Sequence, residues 1–218
     1  HYPKPMVAFL DGSTMGGGYG IAGNCAFGMA TEKAVFAMPE VGIGFFPDVG
    51  AVYHLSQLPD SIGRYLALTG ISIGPGEACA AGLAGTFVSS ERRQEVMDSL
   101  RRGLGQGKVV TDILAAMHET PPPDKMLMAY REQIARAFAP NAVFDVFMAL
   151  AYDGSPWAEG TLGLMKMRSP SSLLVTMEHL KRRQDFVAAA RAPSQAMPGM
   201  VVQALNRGDS ALPRLGFT

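Results

Sequence analysis

Cysteine is scarce in this sequence, and neither sign of charge is in excess. The two cysteines, Cys25 and Cys79, stand in no metal-ligand spacing, which argues against a zinc site and predicts reduced, buried thiols. The 19 Lys and Arg residues balance 19 Asp and Glu residues, so bulk charge does not favour a nucleic-acid-binding surface. No apolar run approaches the roughly 20 residues that a membrane span needs, and no signal or targeting segment is recognised.

What the sequence does contain is 48% hydrophobic residues in a chain of 218, enough for one substantial core. Residues 5–90 alternate short apolar runs with glycine-rich turns, which predicts an α/β region. The pattern predicts strands at residues 6–10, 27–30, 35–38 and 86–88, and helices at 18–26, 51–58, 61–68 and 75–81.

Beyond residue 90 the pattern becomes helical, with apolar residues at three- and four-residue spacing. It predicts helices at residues 91–102, 109–117, 126–138, 142–152, 155–167 and 169–183. The sequence therefore divides into an α/β part at 1–90, a helical region at 91–192 and an irregular tail at 193–218. The abrupt entry from His1 into an apolar strand predicts that the sequence is a fragment of a longer protein.

Three consecutive glycines, Gly16 to Gly18, stand where the first helix is predicted to begin. Because they have no side chains, a ligand can approach the backbone closely there. Their N–H groups, at the positive end of the helix dipole, can then face an anion or a carbonyl oxygen. The alternative is that glycine only makes room for the helix to pack against a sheet. The spacing leaves both interpretations open.

Residues 18–23 also match the G-x-G-x-x-G pattern of dinucleotide-binding proteins. A true fingerprint lies in the tight turn directly after a strand. Here residues 11–17 separate the predicted strand from the match, which falls inside the predicted helix. This misplacement argues against a nicotinamide or flavin cofactor.

Two acidic residues, Glu40 and Asp48, are set in strongly apolar sequence. An unpaired carboxylate is costly to remove from water, so acids in such surroundings are usually paired, protonated or functional. The structural alternative is that Glu40 caps a turn and that Asp48 is the N-cap of the helix near Gly50. Together with the glycine cluster, however, the two acids favour acyl chemistry. That chemistry needs N–H donors for a developing oxyanion and carboxylates that move a proton or attack.

These segments resemble the crotonase superfamily. The resemblance is carried by the motifs MGGG at 15–18, MPE at 38–40 and GFFPDVG at 44–50, and it returns at SPW (155–157) and SPSSL (169–173). It covers residues 4 to about 180 and is most specific in the first 90. The implied fold is α/β, with a partial crotonase-like ββα spiral core followed by a C-terminal helical region.

Within the superfamily the sequence is similar to the 3-hydroxyisobutyryl-CoA hydrolases of valine breakdown. Hydratases of the superfamily carry a glutamate at the position of Gly20 and a glycine at the position of Asp48. The hydrolase pattern keeps Glu40 and adds Asp48, as this sequence does. Some isomerases also carry an acid at the second position, so an isomerase is the less favoured alternative.

The resemblance implies a mitochondrial CoA-thioester hydrolase. The backbone N–H of Gly17, which follows Gly16 in the oxyanion segment, would bind the thioester oxygen as it gains negative charge. Glu40 would activate water or attack directly, and Asp48 would bind the substrate hydroxyl or assist with the proton. Coenzyme A enters as part of the acyl-CoA substrate, no metal or separate cofactor is needed, and a homo-oligomer is one expected arrangement.

The resemblance also implies parts that this sequence does not contain. The superfamily fold has a segment before the strand at Lys4-Pro5, which supplies the second oxyanion donor and much of the CoA pocket. An alternative is therefore a catalytically impaired homologue that serves as a structural subunit of a large organellar assembly. The small subunit of the mitochondrial ribosome is one example, with ribosomal proteins or rRNA as partners.

Overall fold

The computed structural model describes residues 4–123 and 126–182. Within them the chain forms two compact units, each made of two separate stretches of sequence. The first unit takes the described residues up to 37 and residues 72–130, and the second takes residues 38–71 and those from 131 on. The division at residue 90 stays a prediction. The tail at 193–218 lies outside the described residues.

Strands and helices alternate in the first part of the chain, and helices alone follow. In chain order the elements are β1 (Val7–Leu10), β2 (Ser13–Met15), α1 (Gly17–Ala22), β3 (Phe27–Ala30), β4 (Val35–Ala37), α2 (Ala51–Leu55), α3 (Ile62–Thr69), α4 (Pro75–Ala81), β5 (Thr86–Phe87), α5 (Arg93–Gly105), α6 (Val110–Met117), α7 (Arg131–Ala137), α8 (Val143–Asp153), α9 (Pro156–Lys166) and α10 (Pro170–Lys181). Two short 3₁₀ helices lie at Pro39–Ile43 and Ser90–Arg92.

The first unit is built on short parallel strands. β1 pairs with β3, which pairs in turn with β5, and β2 pairs separately with β4. In this unit, α5 and α6 pack apolar residues against Met29 of β3, in keeping with their three- and four-residue spacing. One buried hydrophobic cluster there is formed by Met29, Val88, Val96, Leu114 and Met117.

The loop after α6 is fixed in the first unit by the carboxylate of Glu77. One oxygen of that carboxylate accepts the N–H of Gly74, the N-cap of α4, while the other accepts the N–H groups of Met126 and Leu127. Residues 126–130 form a turn instead of the predicted first part of a helix, and α7 begins only at Arg131. The prediction of a helix over 126–138 was therefore wrong in its first turn.

The second unit packs its helices around Tyr65 of α3, which forms an edge-to-face contact with Phe138 at 5.3 Å. A Cβ at Gly63 would lie 1.7 Å from the carbonyl oxygen of Leu55, so only glycine allows α2 and α3 to approach so closely. Arg64 donates to the carbonyl oxygens of residues 138–140 and so caps the carboxyl end of α7.

Most of the predicted helices and strands are found at the residues where the sequence pattern predicted them. α4 has the predicted bounds, with Pro75 in its first turn and Gly82 in the left-handed conformation just after it. β2 was not predicted, and α1 ends at Ala22, earlier than expected. Among the described residues, no helix combines the length and the hydropathy that crossing a membrane requires.

Candidate active site

The glycine cluster forms the entrance to α1 in the first unit. Gly16 is the N-cap and has φ 48°, a left-handed conformation that favours glycine. The first N–H groups of a helix have no acceptor within the helix, so the amides at the start of α1 need acceptors from outside it. Tyr19 anchors the helix in the core, and burial raises the pKa of its hydroxyl to about 12.

Packing does not explain the glycine at position 17. This residue is exposed, and a Cβ added to it would meet no atom within 4 Å. At Gly18 the nearest atom is the carbonyl oxygen of Ser13, at the ordinary contact distance of 3.8 Å. The interpretation that glycine only makes room for α1 therefore fails at these two positions, and open access to the backbone remains.

The G-x-G-x-x-G match lies inside α1, as the sequence predicted. Gly18 and Gly20 are within the helix, and Gly23 is its C-cap. The tight turn that a dinucleotide fingerprint occupies is formed here by other residues.

In the second unit, Glu40 lies in the 3₁₀ helix Pro39–Ile43 and is buried, with 7% of its surface exposed. Among the described residues, its Oε2 atom has no hydrogen-bond partner. Burial raises the pKa of the Glu40 carboxyl, its own backbone N–H partly opposes this, and the nearby charge of Asp48 raises it further. The Glu40 carboxyl is therefore harder to ionise than an exposed glutamate.

Asp48 lies half-buried in the loop before α2, close enough to act on the pKa of Glu40. It is not the N-cap of α2: that position is Gly50, and no side chain caps the helix there. The capping alternative for Asp48 is therefore not what the structure shows. Val49, just after it, has φ 47°, a left-handed conformation that is unusual for a β-branched residue and costs about 1–2 kcal/mol.

Aromatic side chains line the loop between the two acids. Phe45 stacks on Phe46 with ring centroids 4.4 Å apart, and Phe46 meets the ring of His179 edge-on at 4.9 Å. His179, on α10, is 3% exposed, and burial is the main reason that its pKa falls to about 4. Nothing in the sequence marks this neutral histidine as a site residue, because it stands in no recognised motif.

The structure thus brings two of the four predicted site residues together. Glu40 and Asp48 share the second unit and are electrostatically coupled, whereas Gly16 and Gly17 belong to the first unit. A buried acid with a raised pKa beside a second carboxylate suits proton transfer. Within residues 4–123 and 126–182 there is no group of three or more His, Cys, Asp or Glu placed to hold a metal ion.

Comparison with protein families matches residues 1–197 to the enoyl-CoA hydratase/isomerase family. A relative in Gallus gallus, described as a mitochondrial 3-hydroxyisobutyryl-CoA hydrolase, is 39% identical over 82% of this chain. A relative in Dictyostelium discoideum with the same description is 38% identical over 87% of the chain. The chain spans about half the length of these curated relatives, 48% and 50% respectively.

Among solved structures, a carnitinyl-CoA dehydratase from Mycobacterium thermoresistibile is similar with a TM-score of 0.75 and 33% identity. The match covers 93% of this chain and 56% of that one. An enoyl-CoA hydratase from Rhodobacter sphaeroides gives a TM-score of 0.69 and 32% identity, covering 83% and 50%. These likenesses confirm the crotonase-like α/β fold predicted from the sequence motifs.

Proposed function

Because this chain belongs to the enoyl-CoA hydratase/isomerase family, we propose that it carries the acid–base machinery of a CoA-thioester hydrolase. The observation that carries the proposal is the buried carboxylate of Glu40. Its pKa is raised by burial and by the charge of Asp48, and its Oε2 atom has no hydrogen-bond partner among the described residues. The substrate we propose is 3-hydroxyisobutyryl-CoA, which the names of the curated relatives suggest.

Glu40 is the general base in this proposal. It takes a proton from a water molecule while the water oxygen bonds to the thioester carbonyl carbon. The carbon–sulfur bond then breaks, and the protonated Glu40 returns its proton to the departing CoA thiolate. The raised pKa supports this role, because an acid that titrates closer to neutral pH can both accept and donate a proton there.

The N–H groups of Gly16 and Gly17 are the proposed oxyanion donors. As water adds, the carbonyl oxygen gains negative charge, so a fixed N–H donor binds the transition state more tightly than the ground state. The open space around Gly17 supports this role, since a thioester can approach the backbone without meeting a side chain.

Asp48 is the proposed partner of the substrate hydroxyl. An ionised carboxylate only accepts hydrogen bonds, so it suits a hydroxyl donor on the acyl group. Its negative charge also raises the pKa of the Glu40 carboxyl, which tunes the proposed base. The names of the relatives support a mitochondrial location, which is part of the proposal.

The test is hydrolysis of 3-hydroxyisobutyryl-CoA by the purified full-length protein, followed by titration of the released CoA thiol. We expect Glu40→Gln to lower kcat by about 10²- to 10⁴-fold, because it removes the base without changing side-chain size. The control is Glu77→Gln, the same chemical change at a carboxylate that accepts the backbone N–H groups of Gly74, Met126 and Leu127. Equal rates for the wild type and Glu40→Gln would refute the proposal.

The structural-subunit alternative stays a prediction. It expects stable co-purification with ribosomal proteins or rRNA through salt washing, together with no thioester hydrolysis. Measuring both properties on one preparation separates the two functions.

A further inference from the structure

We propose that Arg168 is a positioning residue for Glu40, because its guanidinium holds the turn that carries this carboxylate against the carboxyl end of α3. The inference rests on the proposed function of Glu40 as the base. All the contacts that support it lie within the second unit.

The first contact is between Arg168 and the Glu40 turn itself. A Cβ added to Gly42, two residues after Glu40, would lie 2.9 Å from Nη1 of Arg168 and 3.7 Å from its Cζ. Nη1 of Arg168 therefore lies close to the turn at Gly42. Gly42 is the residue that permits this close approach, since any side chain would push the guanidinium away.

The second contact joins the same guanidinium to α3. Nε of Arg168 donates to the carbonyl oxygen of Thr69 at 2.8 Å, at the end of the helix where the last backbone carbonyls lack N–H donors within the helix. A guanidinium suits this position because it is always charged and offers several donors in one plane. One side chain thus binds the α3 terminus and covers the Glu40 turn.

The third contact comes from the backbone next to Arg168. The N–H of Ser169 donates to the carbonyl oxygen of Val41 at 3.1 Å, one residue after Glu40. The carbonyl oxygen of Glu40 accepts the N–H of Phe45 at 2.9 Å, which closes the turn. Hydrogen bonds therefore hold the backbone at Glu40 and at the residue after it.

The carboxyl end of α3 is shaped to receive this turn. Gly70 has φ 64°, and a Cβ there would lie 3.3 Å from Cα of Pro39 and 3.4 Å from Cγ2 of Val41. Both the left-handed conformation and the close packing favour glycine at this position. Loss of Arg168 would therefore loosen one side of a tightly packed joint rather than abolish the fold.

The chain offers a matched control. Arg64 also donates to the carbonyl oxygens at the end of a helix in the second unit, those of residues 138–140 after α7. Among the described residues, its hydrogen bonds go to residues 138–141 and not to the Glu40 turn. A purely structural role for both arginines predicts similar consequences when either is replaced, whereas a positioning role predicts a difference in the behaviour of Glu40.

The experiment compares Arg168→Ala, Arg168→Lys, Gly42→Ala and Arg64→Ala in the purified full-length protein. The first readout is kcat and KM for 3-hydroxyisobutyryl-CoA. We expect Arg168→Ala to lower kcat by about 10- to 100-fold with KM changed by less than about threefold, since a misplaced base affects the reacting geometry. Arg168→Lys recovers part of the loss, Gly42→Ala repeats it by displacing the guanidinium, and Arg64→Ala leaves kcat unchanged.

The second readout is the pKa of Glu40, from NMR titration of its ¹³C-labelled carboxyl carbon. Burial raises this pKa in the wild type, and Asp48 is kept in every variant. In Arg168→Ala the turn opens to water and the pKa falls toward the ordinary value, whereas in Arg64→Ala it does not move. This readout decides the inference even if the wild type hydrolyses no thioester and the proposed function fails.

Two results would overturn the inference. One is an Arg168→Ala protein that is folded and keeps both its kcat and its Glu40 titration. The other is an equal effect of Arg64→Ala on both readouts, which would mean general loosening of the unit. If Arg168→Ala does not fold, Arg168→Lys and Gly42→Ala are judged by the same two criteria.

Discussion

Two glutamates, one in each unit, show opposite uses of the same side chain. Glu119, in the first unit, accepts the N–H of Ser89 at 2.8 Å and forms an ion pair with Arg92. The Arg92 hydrogen bond is the main reason that the pKa of Glu119 is lowered. Glu40, in the second unit, is more deeply buried, and its pKa is raised.

The opposite directions of these two pKa shifts distinguish an acid that stabilises the fold from a candidate catalytic acid. The ionised form of Glu119 stabilises the folded state, because its partners exist only there. The ionised form of Glu40 destabilises the folded state, because burial removes water from the carboxylate. Among the described residues, no hydrogen-bond donor replaces that water at Oε2. Acids with strongly perturbed pKa values cluster at functional sites, which makes Glu40 a candidate for one.

Among the substitutions that test this comparison, we expect the largest effect on kcat at Asp48. Asp48→Asn lowers kcat by about 10- to 100-fold, because the proposed partner of the substrate hydroxyl loses its charge. It also lowers the pKa of Glu40, whose rise depends partly on Asp48. The ascending limb of the pH profile of kcat/KM therefore moves to lower pH.

Asp145→Asn is the control for this change, because Asp145 is exposed on α8 in the same unit. It is expected to leave the profile in place. If the ascending limb of the kcat/KM profile stays at the same pH in Asp48→Asn, Glu40 is not the group whose ionisation produces that limb.

A smaller effect is expected at Gly17, in the first unit. Gly17→Ala keeps the N–H donor but places a methyl group in the open approach, and we expect kcat to fall about tenfold. Stability is expected to rise slightly, by about 0.5 kcal/mol, because alanine is the better helix former and nothing lies within 4 Å. Chemical denaturation and the thiol-release assay measure the two quantities. A fall in stability would restore the packing interpretation of this glycine.

The smallest effect is expected at Glu119. Glu119→Gln lowers the free energy of unfolding by about 1 kcal/mol, the value of a charge-assisted hydrogen bond at a partly exposed site. Because the folded pKa is lowered, this contribution is present above the unfolded pKa and is lost as pH falls through the folded pKa. Urea unfolding at neutral and acidic pH measures it. Catalysis should not change, and a large loss of activity would break the distinction between the two glutamates.

Local sequence signals predicted a large part of the fold. α4 was bounded correctly because proline at its start and glycine after its end act through the backbone of those residues alone. β2 was missed because Ser13–Met15 has little strand character of its own, and it is a strand only through its parallel pairing with β4. The turn at residues 126–130 likewise depends on the distant carboxylate of Glu77.

The two candidate acids could be predicted from the sequence, but the residues that surround them in the structure could not. Glu40 and Asp48 stood out because charged residues are rare in such apolar sequence. Nothing local indicates that Arg168 covers the turn at Gly42 or that His179 meets Phe46, since both contacts join residues far apart in sequence. The structure also replaced the capping interpretation of Asp48, because backbone geometry gives the N-cap to Gly50.

The most direct test of the central claim is the thermal unfolding midpoint of the wild type and Glu40→Gln as a function of pH. The folded pKa of Glu40 is raised, so its ionised form penalises the fold above that pKa, and the penalty disappears as pH falls toward the unfolded value. We therefore predict that Glu40→Gln is more stable than the wild type at pH 8 and that the gap closes on acidification. A Glu40→Gln protein that is less stable than the wild type at pH 8, as expected for Glu119→Gln, would contradict the account.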